Sequence, residues 1–174
     1  MSSGTFGEQD AYHFREGTHT RLHDKLGARL LPHGEGARFA VWAPDAQSDA
    51  VMGEWNRWVA SASPLKPRDD HTGIWEGESA GARRGDLYKF RVTARSGRYA
   101  MDKADPLAIC TEMPPGTGSR LWSLEHEWGD GDWMAPRAGA NALDAPISVY
   151  EVHAGSWRRP GGGLLPYREL AHAL

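Results

Sequence analysis

Residues 86–93, DLYKFRVT, alternate without a break: Leu87, Lys89 and Arg91 fall on one side, Tyr88, Phe90 and Val92 on the other. Period-two alternation marks a half-buried strand of the kind found in antiparallel sheets. Such a strand needs neighbours of its own kind, and the chain supplies them at short intervals. Residues 38–42 (RFAVW), 49–53 (DAVMG), 73–78 (GIWEGE), the stretch around Tyr99 and Met101, and residues 120–124 (RLWSL) all read as short strands. Turn sequences separate them: Ala43-Pro44, RDDHTG, GARRGD, RSGR and PPGTG. Proline cannot continue a central ladder, and glycine-rich turns at this spacing argue for a β-sandwich. The 21 glycines and 11 prolines among 174 residues fit that reading.

The stretch 49–58, DAVMGEWNRW, delivers Trp55, Asn56 and Trp58 from a strand into a turn. Flat aromatic faces stack on the apolar faces of sugar rings, and a side-chain amide can both donate to and accept from ring hydroxyls. The competing reading is that one or both indoles cap the sandwich core, since tryptophan is commonly buried in large part.

Composition closes off other classes. A net charge of −3 leaves no electrostatic footprint for nucleic acid. Neither a basic amphipathic helix nor an apolar run of membrane-spanning length is present. The first ten residues, MSSGTFGEQD, lack the basic and apolar regions of a secretory leader. A single cysteine, Cys110, allows no internal disulfide and fits a reducing compartment, which places the expectation in the cytoplasm. His19 and His23 are four apart, but two histidines alone do not make a structural zinc site, so neither metal nor cofactor is expected.

The two ends differ from the middle. Residues 1–23 read as a partly disordered, solvated lead-in. Residues 126–145 are rich in glycine, proline and alanine and read as a linker, with Trp128, Trp133 and Met134 available for packing. Residues 147–153, ISVYEVH, are apolar on both faces apart from Ser148 and Glu151, the pattern of a central parallel strand. Pro166 suits a helix's first turn, and Leu170 and Leu174 follow at helical spacing. Strand, loop and helix start form a first βα unit, whereas a complete βα barrel takes roughly 250 residues.

These segments together resemble the N-terminal part of bacterial 1,4-α-glucan (glycogen) branching enzymes. YHFREGTHTRLHDKLGA resembles that family's lead-in. RFAVWAPDAQSDAVMGEWNRW, then GDLYKFRV and KADPLA, resemble its family-48 carbohydrate-binding module, with GEWNRW standing where GDFNxW is usual. DAPISVYEVHAGSWRR resembles the first strand of the family-13 catalytic barrel, usually YEVHLGSW, with Ala154 in place of the leucine. The resemblance implies a mainly β fold: an immunoglobulin-like antiparallel β-sandwich over residues 24–125, a linker over 126–145, and the incomplete first βα unit of a TIM-type barrel over 146–174. It implies binding of α-1,4-glucan (glycogen or starch) and a catalytic barrel of the same parent chain as partner.

Sugar contact is implied residue by residue. Trp58 matches the tryptophan of NxW, Asn56 its asparagine, and Lys89 the lysine of YKF. Tyr99 is the nearest candidate for the second aromatic that relatives carry after that strand. The family's catalytic carboxylates lie on later barrel strands, so no catalytic residue is assigned here. Glu151 reads as a buried polar partner at the barrel wall. Two alternatives stay open: a free-standing α-glucan-binding module, and the N-terminal module of another family-13 enzyme, such as a glycogen debranching enzyme or a trehalose-releasing hydrolase.

Overall fold

The computed structural model describes residues 5–140 and 142–174. The chain divides into two compact units, Met1–Glu125 and His126–Leu174.

Among the described residues, the first unit is built from nine strands in two antiparallel sheets. One sheet runs β1 (Gly27–Leu30), β2 (Ala37–Trp42), β5 (Ile74–Ser79), β4 (Lys66–Pro67). The other places β3 (Ala46–Gly53) against β6 (Leu87–Ala94) along nearly its whole length. The far edge of β6 is shared: β9 (Ser119–Arg120) takes Leu87 and Tyr88, and β7 (Ala100–Lys103) takes Phe90 to Thr93. The short β8 (Cys110–Thr111) pairs with β9.

The alternation read from 86–93 sets the packing. Tyr88 and Phe90 are each 1% exposed and point between the sheets, while Lys89 and Arg91 point away. Tyr88 and Phe90 meet Phe39 and Val41 of β2, Val51 of β3, Trp75 of β5 and Leu121 in one core. Tyr88 packs edge-on against both Phe39 and Phe90, at centroid distances of 5.5 and 5.9 Å, a favoured aromatic geometry. The expected strand at 120–124 shortens to Ser119–Arg120, with Leu121 adding one further pair of backbone hydrogen bonds, to Gly85 and Asp86 just ahead of β6.

A second cluster covers the outer side of the first sheet. Phe6, Ala11 and Leu26 bury against Ala40 and Ile74, the residues of β2 and β5 that face away from the main core. Ala11 belongs to α1 (Glu8–Arg15). This corrects the solvated lead-in reading of 1–23: from Phe6 onward the segment is a packed lid, and residues 1–4 lie outside the described residues. The apolar signal was too sparse in sequence, with Phe6, Ala11, Phe14 and Leu22 carrying the contact. His19 does not join His23 on a helix face, because α1 ends before the left-handed Gly17. His19 instead meets Asp10 at 3.0 Å. Burial alone would raise the Asp10 pKa, but hydrogen bonds from the Gly7 N–H, His19 and Lys25 outweigh it and bring it down to about 2.

The second unit contains α2 (Gly131–Met134), α3 (Arg137–Ala140) and α4 (Tyr167–Ala173). The helix expected after Pro166 forms. The strand expected at 147–153 does not: those residues carry no regular structure. A parallel strand exists only through hydrogen bonds to neighbouring strands, and none is present in this unit among the described residues. Ile147, Val149 and Tyr150 are exposed as a result.

Candidate functional site

Strand β3 ends at Gly53, and the chain turns through a short 3-10 segment, Glu54–Asn56. Trp55 folds inward and stacks on Phe39, with ring centroids 5.4 Å apart and planes 21° from parallel. A side chain at Gly53 would collide with that indole and with the Leu87 carbonyl oxygen. Of the two turn tryptophans, Trp55 is therefore a core residue.

Asn56 holds the turn. Its Oδ1 accepts from the Gly53 N–H at 2.9 Å, and its Nδ2 donates to the Val51 carbonyl and to Ser63 Oγ, both at 3.1 Å. Both donors of the amide and one side of its acceptor are thus engaged inside the protein. Asn56, expected at the sugar, is thus occupied in a structural role within the turn.

That role is directed at Trp58. Arg57 and Trp58 both adopt left-handed backbone, with φ of 56° and 61°. For residues with a Cβ this costs on the order of 1–3 kcal/mol, and it persists only where the surroundings enforce it. Here the enforcement is the Asn56 network together with the Trp58 N–H, which donates to the Gly53 carbonyl at 2.9 Å. The outcome is an indole left 39% exposed.

Lys89 stands on the outer face of the second sheet, directly across from Met52. The turn carrying Trp58 begins one residue beyond Met52, and Glu54 Oε2 ties it to β6 by accepting the Leu87 N–H at 2.8 Å. Lys89 Nζ donates to Thr117 Oγ1 at 2.6 Å, from the loop between β8 and β9. Thr117 was not foreseen, and nothing in the sequence links positions 28 residues apart. Two residues along the same face, Arg91 pairs with Asp102 of β7.

Tyr99 does not join Lys89. It lies just before β7 and lines an open cleft between the sheets with Val92 and Met101, on the inward side of the second sheet. The outward position of β7 opposite β6 is held by Asp102. The hairpin linking β6 to β7 sets this parity, which a loose alignment of aromatics could not reveal.

One buried acid stands apart. Asp49 on β3 is 2% exposed, shares the inward face with Val51, and neither carboxyl oxygen has a hydrogen-bond partner. Burial pushes its pKa up to about 7. Among the described residues no group of three or more His, Cys, Asp or Glu is gathered as a metal ion requires. No described helix is long and apolar enough to cross a membrane.

Residues 25–108 match the family described as Carbohydrate-binding module 48 (Isoamylase N-terminal domain). The chain is 54% identical over 167 residues to the 1,4-alpha-glucan branching enzyme GlgB of Albidiferax ferrireducens, covering 96% of this chain and 27% of that protein. It is 56% identical over 168 residues to the enzyme of the same name from Aromatoleum aromaticum, covering 96% of this chain and 26% of that one. Among solved structures, PulA from Klebsiella oxytoca matches at 25% identity and a TM-score of 0.47, over 59% of this chain and 10% of that one. The chain thus spans about a quarter of the length of the curated relatives it matches.

Proposed function

We propose, on the premise that residues 25–108 are a family-48 carbohydrate-binding module and that the whole chain is a relative of the 1,4-alpha-glucan branching enzymes, that the chain is the glucan-binding region of such an enzyme. The observation that carries this is the outward presentation of Trp58 from a turn built to hold it, at the end of the strand paired with β6. Trp58 stacks on the apolar face of a glucose unit, and Lys89 donates to its hydroxyls, with Thr117 Oγ1 holding the ammonium in place. Asn56 acts on the ligand through Trp58.

The parent reaction moves an α-1,4-linked glucan segment to an α-1,6 branch point. A retaining transfer of this type needs two carboxyl groups about 5–5.5 Å apart across the reacting bond. The resemblance places those acids on later strands of the family's barrel, and the 174 residues supply glucan binding. Residues 146–174 form the opening of that barrel, and the working compartment is the cytoplasm, where glycogen is built. Retention of the chain by glycogen in affinity electrophoresis tests the reading. Binding that Trp58→Ala reduces supports the assignment; equal retention of variant and parent removes Trp58 from the site. Migration of the parent unaffected by glycogen overturns the glucan-binding reading itself.

A further inference from the structure

We propose that a depression of 890 Å³ beside the β1–β2 hairpin is a binding site for a phosphate group, carried free or on a sugar. It goes beyond the glucan-binding reading and shares no residue with the Trp58 face. Arg29, Arg38, Arg83 and Arg84 all line it. Two of them come from paired strands: Arg29 of β1 stands directly opposite Arg38 of β2. The other two are consecutive in the GARRGD turn between β5 and β6. Like charges directly opposite one another destabilise a strand pair, and an anion placed among them relieves that cost. Among the described residues none of the four arginines takes part in an ion pair. Glu78 and Glu125 also line the depression, both of them exposed, so four positive charges there meet two negative ones.

Arg38 carries the argument furthest. It is 8% exposed, its Nη2 donates to the Lys25 carbonyl at 2.5 Å, and its Nη1 is buried with no hydrogen-bond partner among the described residues. A guanidinium withdrawn from water without a counter-charge is costly. One carbonyl oxygen offsets part of that cost, and a dianion seated above supplies the missing charge. Arg38 acts from the floor through its field, while the more exposed arginines make the contacts. Arg84 lies over the Trp122 ring at 4.2 Å, which orients its guanidinium and leaves the N–H groups at its rim free. Nη1 of Arg29 donates to the Ala28 carbonyl and Nη1 of Arg83 to the Ala82 carbonyl, so both side chains are held in place with their other nitrogens available. Guanidinium forks match phosphate oxygens in pairs. A carboxylate brings one charge and two oxygens, whereas a phosphate monoester brings about two charges and three terminal oxygens. The phosphate is the better match to arginines converging from a hairpin and a turn.

The test is a titration of the intact chain with inorganic phosphate and with glucose 6-phosphate at constant ionic strength, followed by amide NMR shifts. Saturable shifts at 29–38, 80–86 and 122–125 are expected with both. Tighter binding of glucose 6-phosphate supports the site with a sugar phosphate as its ligand, and equal binding supports it with free phosphate. Arg84→Gln and Arg29→Gln should each weaken binding about tenfold, the scale of one charge-assisted hydrogen bond. Arg98→Gln, which removes an exposed cation from the turn between β6 and β7, should leave it unchanged. Shifts that chloride reproduces at equal ionic strength, or that Arg98→Gln weakens as much as Arg84→Gln does, overturn the site by showing general screening alone. Tighter binding of a glutamate-rich peptide than of either phosphate overturns the ligand class and gives the surface to a protein partner. An absence of saturable shifts in those segments overturns the proposal and leaves glycogen retention, which uses none of these residues, standing.

Discussion

Tyr88 donates from its hydroxyl to Asp105 Oδ2 at 2.6 Å, joining the central strand β6 to the segment that follows β7. The other carboxyl oxygen accepts the Leu107 N–H, and the Asp105 N–H donates to Ser119 Oγ, both at 2.8 Å. All three side chains are buried. Burial pushes the Asp105 carboxyl above its ordinary pKa, and the Tyr88 hydroxyl pulls the other way. Burial also raises the Tyr88 phenol, with the neighbouring Asp105 carboxyl adding to the effect. Tyr88→Phe keeps the ring in the core and removes the donor. A buried acceptor left short of its partner costs about 1–3 kcal/mol, so urea unfolding of Tyr88→Phe should show a loss of that size. An unchanged midpoint would mean that water replaces the phenol.

Asn56 and Trp58 form a positioning pair, which makes a distinct prediction. Asn56→Asp preserves the side chain's shape and an acceptor for the Gly53 N–H, but loses both donors to Val51 and Ser63. Glycogen retention should fall in Asn56→Asp toward the level of Trp58→Ala, through the turn that Asn56 holds. Affinity electrophoresis of both variants, with circular dichroism to verify the fold, checks this. Full retention in Asn56→Asp would mean that the left-handed backbone at Trp58 is held by other contacts.

Asp49 gives the chain a pH dependence of known sign. Its folded pKa of about 7 stands above the ordinary carboxylate value of 3.8. Between those values the folded state holds a proton that the unfolded state has lost. The contribution to stability is therefore fully present below the unfolded pKa and is lost as pH rises to about 7, at up to about 1.4 kcal/mol per pH unit for one group. Asp49→Asn removes the titration. Thermal melts should show the variant gaining on the parent from pH 4 to pH 7, with the difference levelling off above about pH 7. A constant difference would show that the carboxyl finds a partner when ionised.

The parts of this fold legible in sequence were those set by local periodicity. The alternation of 86–93 gave the parity of β6, so the outward placement of Lys89 and the burial of Tyr88 and Phe90 followed from it. The left-handed turn was not legible, because Arg57 and Trp58 have none of the residue types that favour positive φ; it depends on an amide bonded across to Ser63. Tyr99 was misplaced for a related reason. Which face a residue takes after a hairpin depends on register, and register is fixed by pairs such as Val92 with Met101 rather than by spacing from Lys89. The N-terminal lid escaped because apolar contacts scattered over Phe6, Ala11, Phe14 and Leu22 make no periodic stripe.

Residues 147–153 carry the last prediction. Ile147, Val149 and Tyr150 are exposed, with high β-propensity and no strand beside them among the described residues. Such a segment can pair with copies of itself, since backbone groups and apolar side chains are both free to do so. The sandwich does not depend on it, because its two cores are made entirely by residues of the first unit. A chain ending at Asp144 should therefore keep the unfolding transition of the sandwich and remain monomeric at concentrations where the 174-residue chain associates. Sedimentation velocity across a concentration series checks this. Equal association of the two chains would place the self-contact on the sandwich instead.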